Sequence, residues 1–150
     1  PRIDVKSIDF DYDLIVISDY NKGFLLEEDI KYICANHPNV FIDTKKILGE
    51  WVRDARFIKI NDYEYRNSEA YLTKEIKDKI IHTMGGLGCE YAGKRYPTKK
   101  VEVKDLSGAG DTFMAALVVK FTETDDIELS IKYANQCASK VVTQKGVAVI

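Results

Sequence analysis

The segment Asp105-Leu106-Ser107-Gly108-Ala109-Gly110-Asp111-Thr112-Phe113 places a run of small residues between two aspartates. Phe113, Leu117 and Phe121 then recur every four residues, which predicts one buried stripe of an α-helix. The first backbone N–H groups of such a helix have no intrahelical partner, and its dipole is positive there. Because small side chains leave the approach open, this segment predicts an anion-binding helix start.

Asp111 lies inside this predicted anion site. A carboxylate beside a bound anion is electrostatically costly, so we expect it to have a chemical task. The simplest task is to accept a proton from an attacking hydroxyl group. The alternative is an ordinary helix start, in which an aspartate caps the helix and glycines form a tight turn.

Continuous apolar runs that alternate with helical stretches predict an α/β fold with a mainly parallel sheet. Right-handed crossovers would join the strands, and ligands would bind beyond their carboxyl ends. The predicted strands are Asp13–Ser18, Val40–Asp43, Phe57–Ile60 and Ile80–Met84. The polar residues at their ends are Asp19, Lys22, Asp43, Lys45, Asn61 and Glu64. We therefore expect a ligand site at this edge of the sheet.

The rest of the chain predicts shorter elements around this sheet. Helices are expected from Leu25 to about Asn36 and from Leu72 to Lys79, and a hairpin around Gly93. Val101–Val103 alternates like an outer strand. The last helix is expected to be capped by Thr124 or Asp125, to bury Ile127, Ile131, Ala134, Ala138 and Val141, and to stop at Gly146.

Composition restricts the class of protein. At 150 residues, we expect one domain that spans 1–150 and can bury a core. The net charge of −2 argues against a nucleic-acid partner. The absence of an apolar spanning run and of a signal peptide favours a cytoplasmic protein without a membrane partner. The three cysteines are far apart and predict buried, reduced thiols, and the two histidines lack metal-ligand spacing.

The segment from Asp105 to Leu117 resembles the second signature of the ribokinase-like (phosphofructokinase-B type) carbohydrate kinases. Ser18–Gly23 and Phe41–Lys45 resemble the heptose 7-phosphate kinase branch, where these pieces usually read Ser-Asp-Tyr-Gly-Lys-Gly and Asp-Pro-Lys. Thr44 stands in place of that proline. The resemblance implies a three-layer α/β sandwich.

The resemblance covers Asp13 to Ile150, which corresponds to the carboxyl-terminal, nucleotide-binding half of the family. The chain also begins without methionine, so we expect a fragment. The family's amino-terminal half carries a lid and most contacts to the sugar. We therefore expect the 150-residue chain alone to be inactive and to self-associate through an unpaired strand edge.

The resemblance implies ATP-dependent phosphoryl transfer to a hydroxyl of a sugar or sugar phosphate, with ATP and Mg²⁺ as cofactors. It implies that Asp111 is the base and that Gly108, Ala109 and Gly110 form the anion hole. The implied nucleotide-binding residues are Lys45, Asn61, Glu64, Thr83, Gly85, Gly88, Asn135 and Gly146. Asp19 and Lys22 would lie near the acceptor, and Glu64 would hold Mg²⁺ through water. Asp105 and Ser107 match positions that bind a monovalent cation such as K⁺ in some members.

Several of these assignments have a structural alternative. Asn61 and Glu64 fit a capping box, and the glycines after Thr83 fit any tight turn. Lys46 competes with Lys45 for the phosphate role. Asn135 could instead be a polar residue on a helix, and Lys22 a surface lysine. Asp105 and Ser107 could be turn-forming residues with local hydrogen bonds.

Other functional classes are less well supported. A non-catalytic nucleotide-binding or regulatory module on the same fold is the main alternative. A Rossmann-type dehydrogenase is disfavoured because no Gly-x-Gly-x-x-Gly follows the first strand. Gly88 to Lys94 has P-loop spacing, but Arg95 replaces the required Ser or Thr.

Overall fold

The computed structural model describes residues 1–98 and 109–142, the last two by their backbone alone. The chain forms two compact units, Pro1–Thr83 and Met84–Ile150. Among the described helices, none combines the length and apolar character that crossing a lipid bilayer requires. That a single functional domain spans 1–150 stays a prediction. The predicted strand Val101–Val103 and the predicted helix stop at Gly146 lie outside the described residues.

The first unit is built on a parallel sheet whose strands follow one another in chain order. The strands are β1 (Ile15–Asp19), β2 (Val40–Thr44), β3 (Phe57–Asn61) and β4 (Ile80–Thr83). Ile15 pairs with Val40 at the start of the sheet, and Asn61 pairs with Thr83 at its carboxyl edge. This confirms the predicted parallel sheet and brings the polar strand ends to one edge.

The core of this unit lies around β2, which is buried at all of its positions. Helix α1 (Glu27–Asn36) places Ile30, Ile33 and Cys34 on one buried face, as the spacing i, i+3, i+4 predicts. At its start, Asp29 accepts a hydrogen bond from the Leu26 N–H (2.9 Å). Arg2 donates to both oxygens of Asp29 and thereby holds the pKa of that carboxyl below its usual range.

Shorter helices connect the remaining strands of the first unit. They are α2 (Asp62–Ser68), α3 (Lys74–Lys77) and 3₁₀ turns at Glu50–Val52 and Glu69–Tyr71, and a further 3₁₀ turn at Val5–Ser7 precedes β1. The predicted helix Leu72–Lys79 is thus shorter than expected. The Thr73 side chain caps α3 by accepting from the Ile76 N–H, and the chain enters β4 three residues after α3 ends.

The second unit contains a hairpin and two long helices. After a 3₁₀ turn at Gly85–Leu87, β5 (Cys89–Tyr91) and β6 (Lys94–Tyr96) pair antiparallel, which confirms the hairpin predicted around Gly93. Helix α4 (Ala109–Thr124) buries Phe113, Leu117 and Phe121. The stripe predicted from the opening segment is therefore confirmed.

The start of α5 (Ile127–Val142) differs from the sequence prediction. Neither Thr124 nor Asp125 is the cap. Thr124 is the last residue of α4, and Asp126 accepts from the Leu129 N–H at 3.1 Å. On the predicted apolar face, Ile131 and Ala134 are fully buried, Ile127 and Ala138 are half-buried, and the side chain of Val141 lies outside the described set.

All three cysteines are free thiols, as the sequence predicts. Cys34 and Cys89 are buried, and burial raises the pKa of each thiol to about 12. Cys137 is only half-buried, which corrects the expectation that every thiol is inaccessible.

Candidate functional site

Lys45 and Glu64 form an ion pair at the carboxyl edge of the parallel sheet. The Lys45 Nζ lies 2.9 Å from Glu64 Oε2, with 45% of the lysine side chain exposed and only 5% of the glutamate. The pairing with Glu64 raises the pKa of Lys45. The second oxygen, Oε1, accepts from the Asn61 N–H (2.9 Å), while Asn61 Oδ1 accepts from the Glu64 N–H (2.8 Å). The capping box that the sequence offered as the alternative is therefore present. Glu64 also pairs with the ammonium group of Lys45.

Asp43 and Lys59 form a second pair in the same sheet, which the sequence did not reveal. Lys59 Nζ lies 3.3 Å from Asp43 Oδ2, and both residues are buried. Burial raises the pKa of Asp43, and Lys59 opposes this effect. The other oxygen, Asp43 Oδ1, is buried and has no hydrogen-bond partner among the described residues. Such an atom can accept a hydrogen bond from a water molecule or from a ligand.

Asp19 belongs to a network that joins the ends of β1 and β2. Its Oδ2 accepts from the Thr44 hydroxyl (2.7 Å) and lies 3.2 Å from Lys46 Nζ, and its Oδ1 accepts from the Asn21 N–H (3.0 Å). Lys46 also donates to Asn21 Oδ1 (2.8 Å) and is buried.

This network separates the two neighbouring lysines. Lys46 is held inside by Asp19 and Asn21, whereas the ammonium group of Lys45 reaches the surface. Lys45 is therefore the better placed to meet a phosphate. Both oxygens of Asp19 already bind groups of the protein, so its contact with an acceptor substrate stays a prediction. Lys22 is exposed, and its contact with an acceptor also stays a prediction.

His82 connects the end of β4 to α2, which directly follows β3, and the sequence analysis missed this contact. Its Nε2 lies 2.9 Å from Asp62 Oδ1, and its ring stacks on Tyr65 with a centroid distance of 4.3 Å. Thr83 Oγ1 donates to the Ile60 carbonyl at 3.3 Å across the same pair of strands. These contacts fix Thr83 and the start of α2 relative to each other. No sequence signal could have found them, because Asp62 and His82 lie twenty positions apart.

Gly85 and Gly88 form the tight turn that opens the second unit. Both have positive φ angles, of 57° and 90°. The Gly88 N–H donates to the Gly85 carbonyl, and the Met84 N–H donates to the Gly88 carbonyl. A Cβ atom on Gly88 would lie 2.1 Å from the Tyr96 carbonyl oxygen. The turn therefore requires glycine for backbone reasons, whatever role it has toward a nucleotide.

The described part of the small-residue segment starts α4 as predicted. Ala109 and Gly110 are the first residues of the helix, and Asp111 lies exposed in its first turn. Small side chains at a helix N-terminus leave room for an anion, which the helix dipole favours there. The remaining predicted residues Asp105, Ser107, Gly108 and Gly146 lie outside the described residues.

A groove of about 590 Å³ runs beside β6 and α5 in the second unit. Asn135 lines it, is buried, and donates from Nδ2 to the Tyr96 carbonyl at 2.9 Å. One function of Asn135 is therefore to hold α5 to the hairpin. Other groove residues include Arg95, Thr98, Lys132, Gln136, Ser139 and Lys140. Its volume is within the usual range for small-molecule sites.

The donor set determines which kind of metal site fits. Within residues 1–98 and 109–142, no three His, Cys, Asp or Glu side chains converge in a way that could hold a metal ion. The carboxylates of Glu64 and Asp43 do fit Mg²⁺ that keeps its waters and arrives on phosphate groups, which is the usual mode for this ion. The cluster therefore suits a metal–phosphate complex better than a resident metal.

Comparison with known proteins identifies relatives of the whole chain. The model of the pfkB family of carbohydrate kinases matches residues 14–149. The bifunctional protein HldE of a Nitratiruptor species is 31% identical over 157 residues, which cover 92% of this chain and 34% of that protein. The ribokinase of Thermotoga maritima is similar in structure with a TM-score of 0.74 and 20% identity, over 96% of this chain and 56% of that chain. The ribokinase of Arabidopsis thaliana complexed with ribose and ATP has a TM-score of 0.67 and 20% identity, over 89% of this chain and 51% of that chain.

These comparisons bear on two sequence predictions. The ribokinase-like α/β fold is confirmed by the structural likeness. The sequence-based assignment, including its likeness to the heptose 7-phosphate kinase branch, is confirmed as well. The chain spans about a third of the length of the curated relative and about half of the solved ribokinases. Since the family model covers nearly the whole chain, the chain belongs to the pfkB family of carbohydrate kinases.

Proposed function

We propose that the protein containing this chain transfers a phosphoryl group from ATP to a hydroxyl group of a sugar or sugar phosphate. A heptose 7-phosphate-like acceptor is favoured, because Ser18–Gly23 and Phe41–Lys45 resemble that branch of the family. Family membership and the likeness to a ribokinase that binds ribose and ATP support the general reaction. We place this reaction in the cytoplasm.

The observation that carries the proposal is Asp111, an exposed carboxylate in the first turn of α4 behind two small residues. Asp111 accepts the proton of the acceptor hydroxyl as its oxygen attacks the γ-phosphoryl group. The backbone N–H groups of Ala109, Gly110 and Asp111 stabilise the charge that develops on the transferred group, and Gly108 completes this anion hole.

The first unit contributes charge compensation in this proposal. Lys45 would contact the phosphate oxygens of the nucleotide, and Glu64 would hold Mg²⁺ through a water molecule. When bound, Mg²⁺ neutralises charge on the phosphates. Asp43 Oδ1, which is buried without a partner among the described residues, can accept from a water molecule of the same cluster.

The remaining predicted nucleotide-binding residues would hold the rest of the nucleotide. Thr83 at the end of β4 and the turn of Gly85 and Gly88 are proposed to lie beside its sugar and phosphates. Asn135 and Gly146 would border the base, and the groove beside Asn135 supports this part of the proposal. K⁺ bound by Asp105 and Ser107 would order the anion hole.

The test is Asp111→Asn in the full-length protein, assayed for phosphorylation of a panel of sugars and sugar phosphates. We expect kcat to fall by about 10²–10⁴-fold while ATP still binds. Near-normal turnover in this variant would refute the assignment of the base. If the unmodified full-length protein binds ATP but phosphorylates no acceptor, the non-catalytic nucleotide-binding module is the correct alternative.

A second copy of the chain is the proposed protein partner. Among the described strands, β1 pairs only with β2, and Val16 on β1 is 43% exposed. An open strand edge of this kind favours self-association. Light scattering of the 150-residue chain should show an oligomer, and a monomer would contradict this part of the proposal.

A further inference from the structure

Both carboxylate oxygens of Glu64 already have a positively polarised partner before any metal ion arrives. One oxygen accepts from the Asn61 N–H at 2.9 Å, and the other lies 2.9 Å from the Lys45 ammonium group. Because Glu64 is 5% exposed at its side chain, its charge is compensated by Lys45 rather than by bulk solvent. A divalent cation that approached alone would have to displace this ammonium group.

A displaced Lys45 would have to share Asp43 with another lysine of this cluster. Asp43, the other acidic residue here, already compensates the buried Lys59 at 3.3 Å. The main chain of Lys45 is also fixed, because its N–H donates to the Asp19 carbonyl at 3.0 Å. Its side chain, in contrast, is 45% exposed and able to change partner.

We propose that Lys45 occupies the cation position of this cluster until a nucleotide arrives, so that Glu64 accepts a divalent cation only as a metal–nucleoside triphosphate complex. This inference rests on the proposed nucleotide-binding function. The phosphate oxygens take over the ammonium group of Lys45, since lysine is a good point-charge partner for phosphate. Glu64 Oε2 is thereby released to a water molecule of the incoming cation. The exchange keeps each charge paired and makes Lys45 the residue that discriminates the metal complex from the free metal.

The experiment measures binding of Mn²⁺, as a probe for Mg²⁺, by electron paramagnetic resonance on the full-length protein without nucleotide. We expect Lys45→Met to bind Mn²⁺ at least about tenfold more tightly than the unmodified protein, since it removes one positive charge from beside the site. Lys45→Arg, which keeps the charge, should behave like the unmodified protein. Lys31→Met is the matched control, because it removes the same charge from an exposed position on α1.

The double variant Lys45→Met/Glu64→Gln should lose the gained affinity, because the released carboxylate is what binds the metal. Equal Mn²⁺ binding by the unmodified protein and Lys45→Met would overturn the inference. So would a gain that persists in the double variant, or one that also occurs in Lys45→Arg or Lys31→Met. A titration with ATP and Mg²⁺ separates the two proposals. If the unmodified protein binds ATP and Lys45→Met gains no affinity for Mn²⁺, only the inference fails, whereas a lack of ATP binding refutes the proposed function.

Discussion

Gly88 offers a test of how strictly the backbone constrains the predicted nucleotide turn. Its φ of 90° with a ψ of −142° is in a region that is essentially open to glycine alone and costs an L-residue about 1–3 kcal/mol. In addition, a Cβ atom there would lie 2.1 Å from the Tyr96 carbonyl oxygen and 2.9 Å from Pro97 Cα, both parts of the main chain. Forcing such atoms apart typically costs about 1–3 kcal/mol. Gly88→Ala should therefore lower the free energy of unfolding by about 2–6 kcal/mol.

Gly85→Ala is the matched control. Gly85 also has a positive φ, of 57°, but a Cβ atom there would meet nothing within 4 Å. It should lose only the backbone contribution of about 1 kcal/mol, or about 2–4 °C in Tm. Gly88→Ala should lower Tm by about 4–24 °C on the same scale, measured by circular dichroism on heating. If the two variants melt at the same temperature, the close approach of β6 to the turn does not constrain Gly88, and this reasoning is refuted.

Two further predictions concern stability. Since Arg2 holds the pKa of Asp29 below its ordinary value of 3.8, the ion pair stabilises the fold above that value and loses its effect as the pH falls through the lowered pKa. The stability difference between the unmodified chain and Arg2→Met, taken from urea midpoints, should be constant at about pH 5–7 and shrink below about pH 4; a difference unchanged down to about pH 2 would contradict this. His82→Phe keeps the ring that stacks on Tyr65 but loses the hydrogen bond to Asp62, so we expect a loss of about 0.5–1.5 kcal/mol in urea unfolding. A stable His82→Phe combined with a destabilised His82→Gln would show that stacking alone joins β4 to α2.

The sequence predicts the architecture of the first unit well, because strand and helix periodicity are local properties. The alternation of apolar runs and helical stretches placed Asp19, Lys45, Asn61 and Glu64 at strand ends, and the structure brings those ends to one edge. The buried stripe of α4 could also be predicted from the sequence, since it depends only on the spacing of apolar residues along one helix. In each of these cases the sequence pattern and the element that it predicts cover the same few residues.

The side-chain partners were beyond reach of the sequence, because they join residues far apart in the chain. Asp19 accepts from Thr44, twenty-five positions away. The choice between Lys45 and Lys46 depends on the contacts of Lys46 with Asp19 and Asn21. Likewise, the Asn61–Glu64 motif does not reveal from the sequence whether the Glu64 carboxylate only caps a helix or also binds another group. The structure shows that Glu64 caps α2 and pairs with Lys45 together, one oxygen for each.

The buried thiols make the opening of each unit separately measurable. Cys34 lies in the first unit and Cys89 in the second, and burial raises the pKa of both thiols to about 12. Near neutral pH, almost no reactive thiolate exists in the closed state, so an alkylating reagent modifies either residue only after local opening. The rate at each cysteine therefore reports the opening equilibrium of its own unit, without any engineered label. The half-buried Cys137 would react first and can be replaced by serine to leave one reporter on each side.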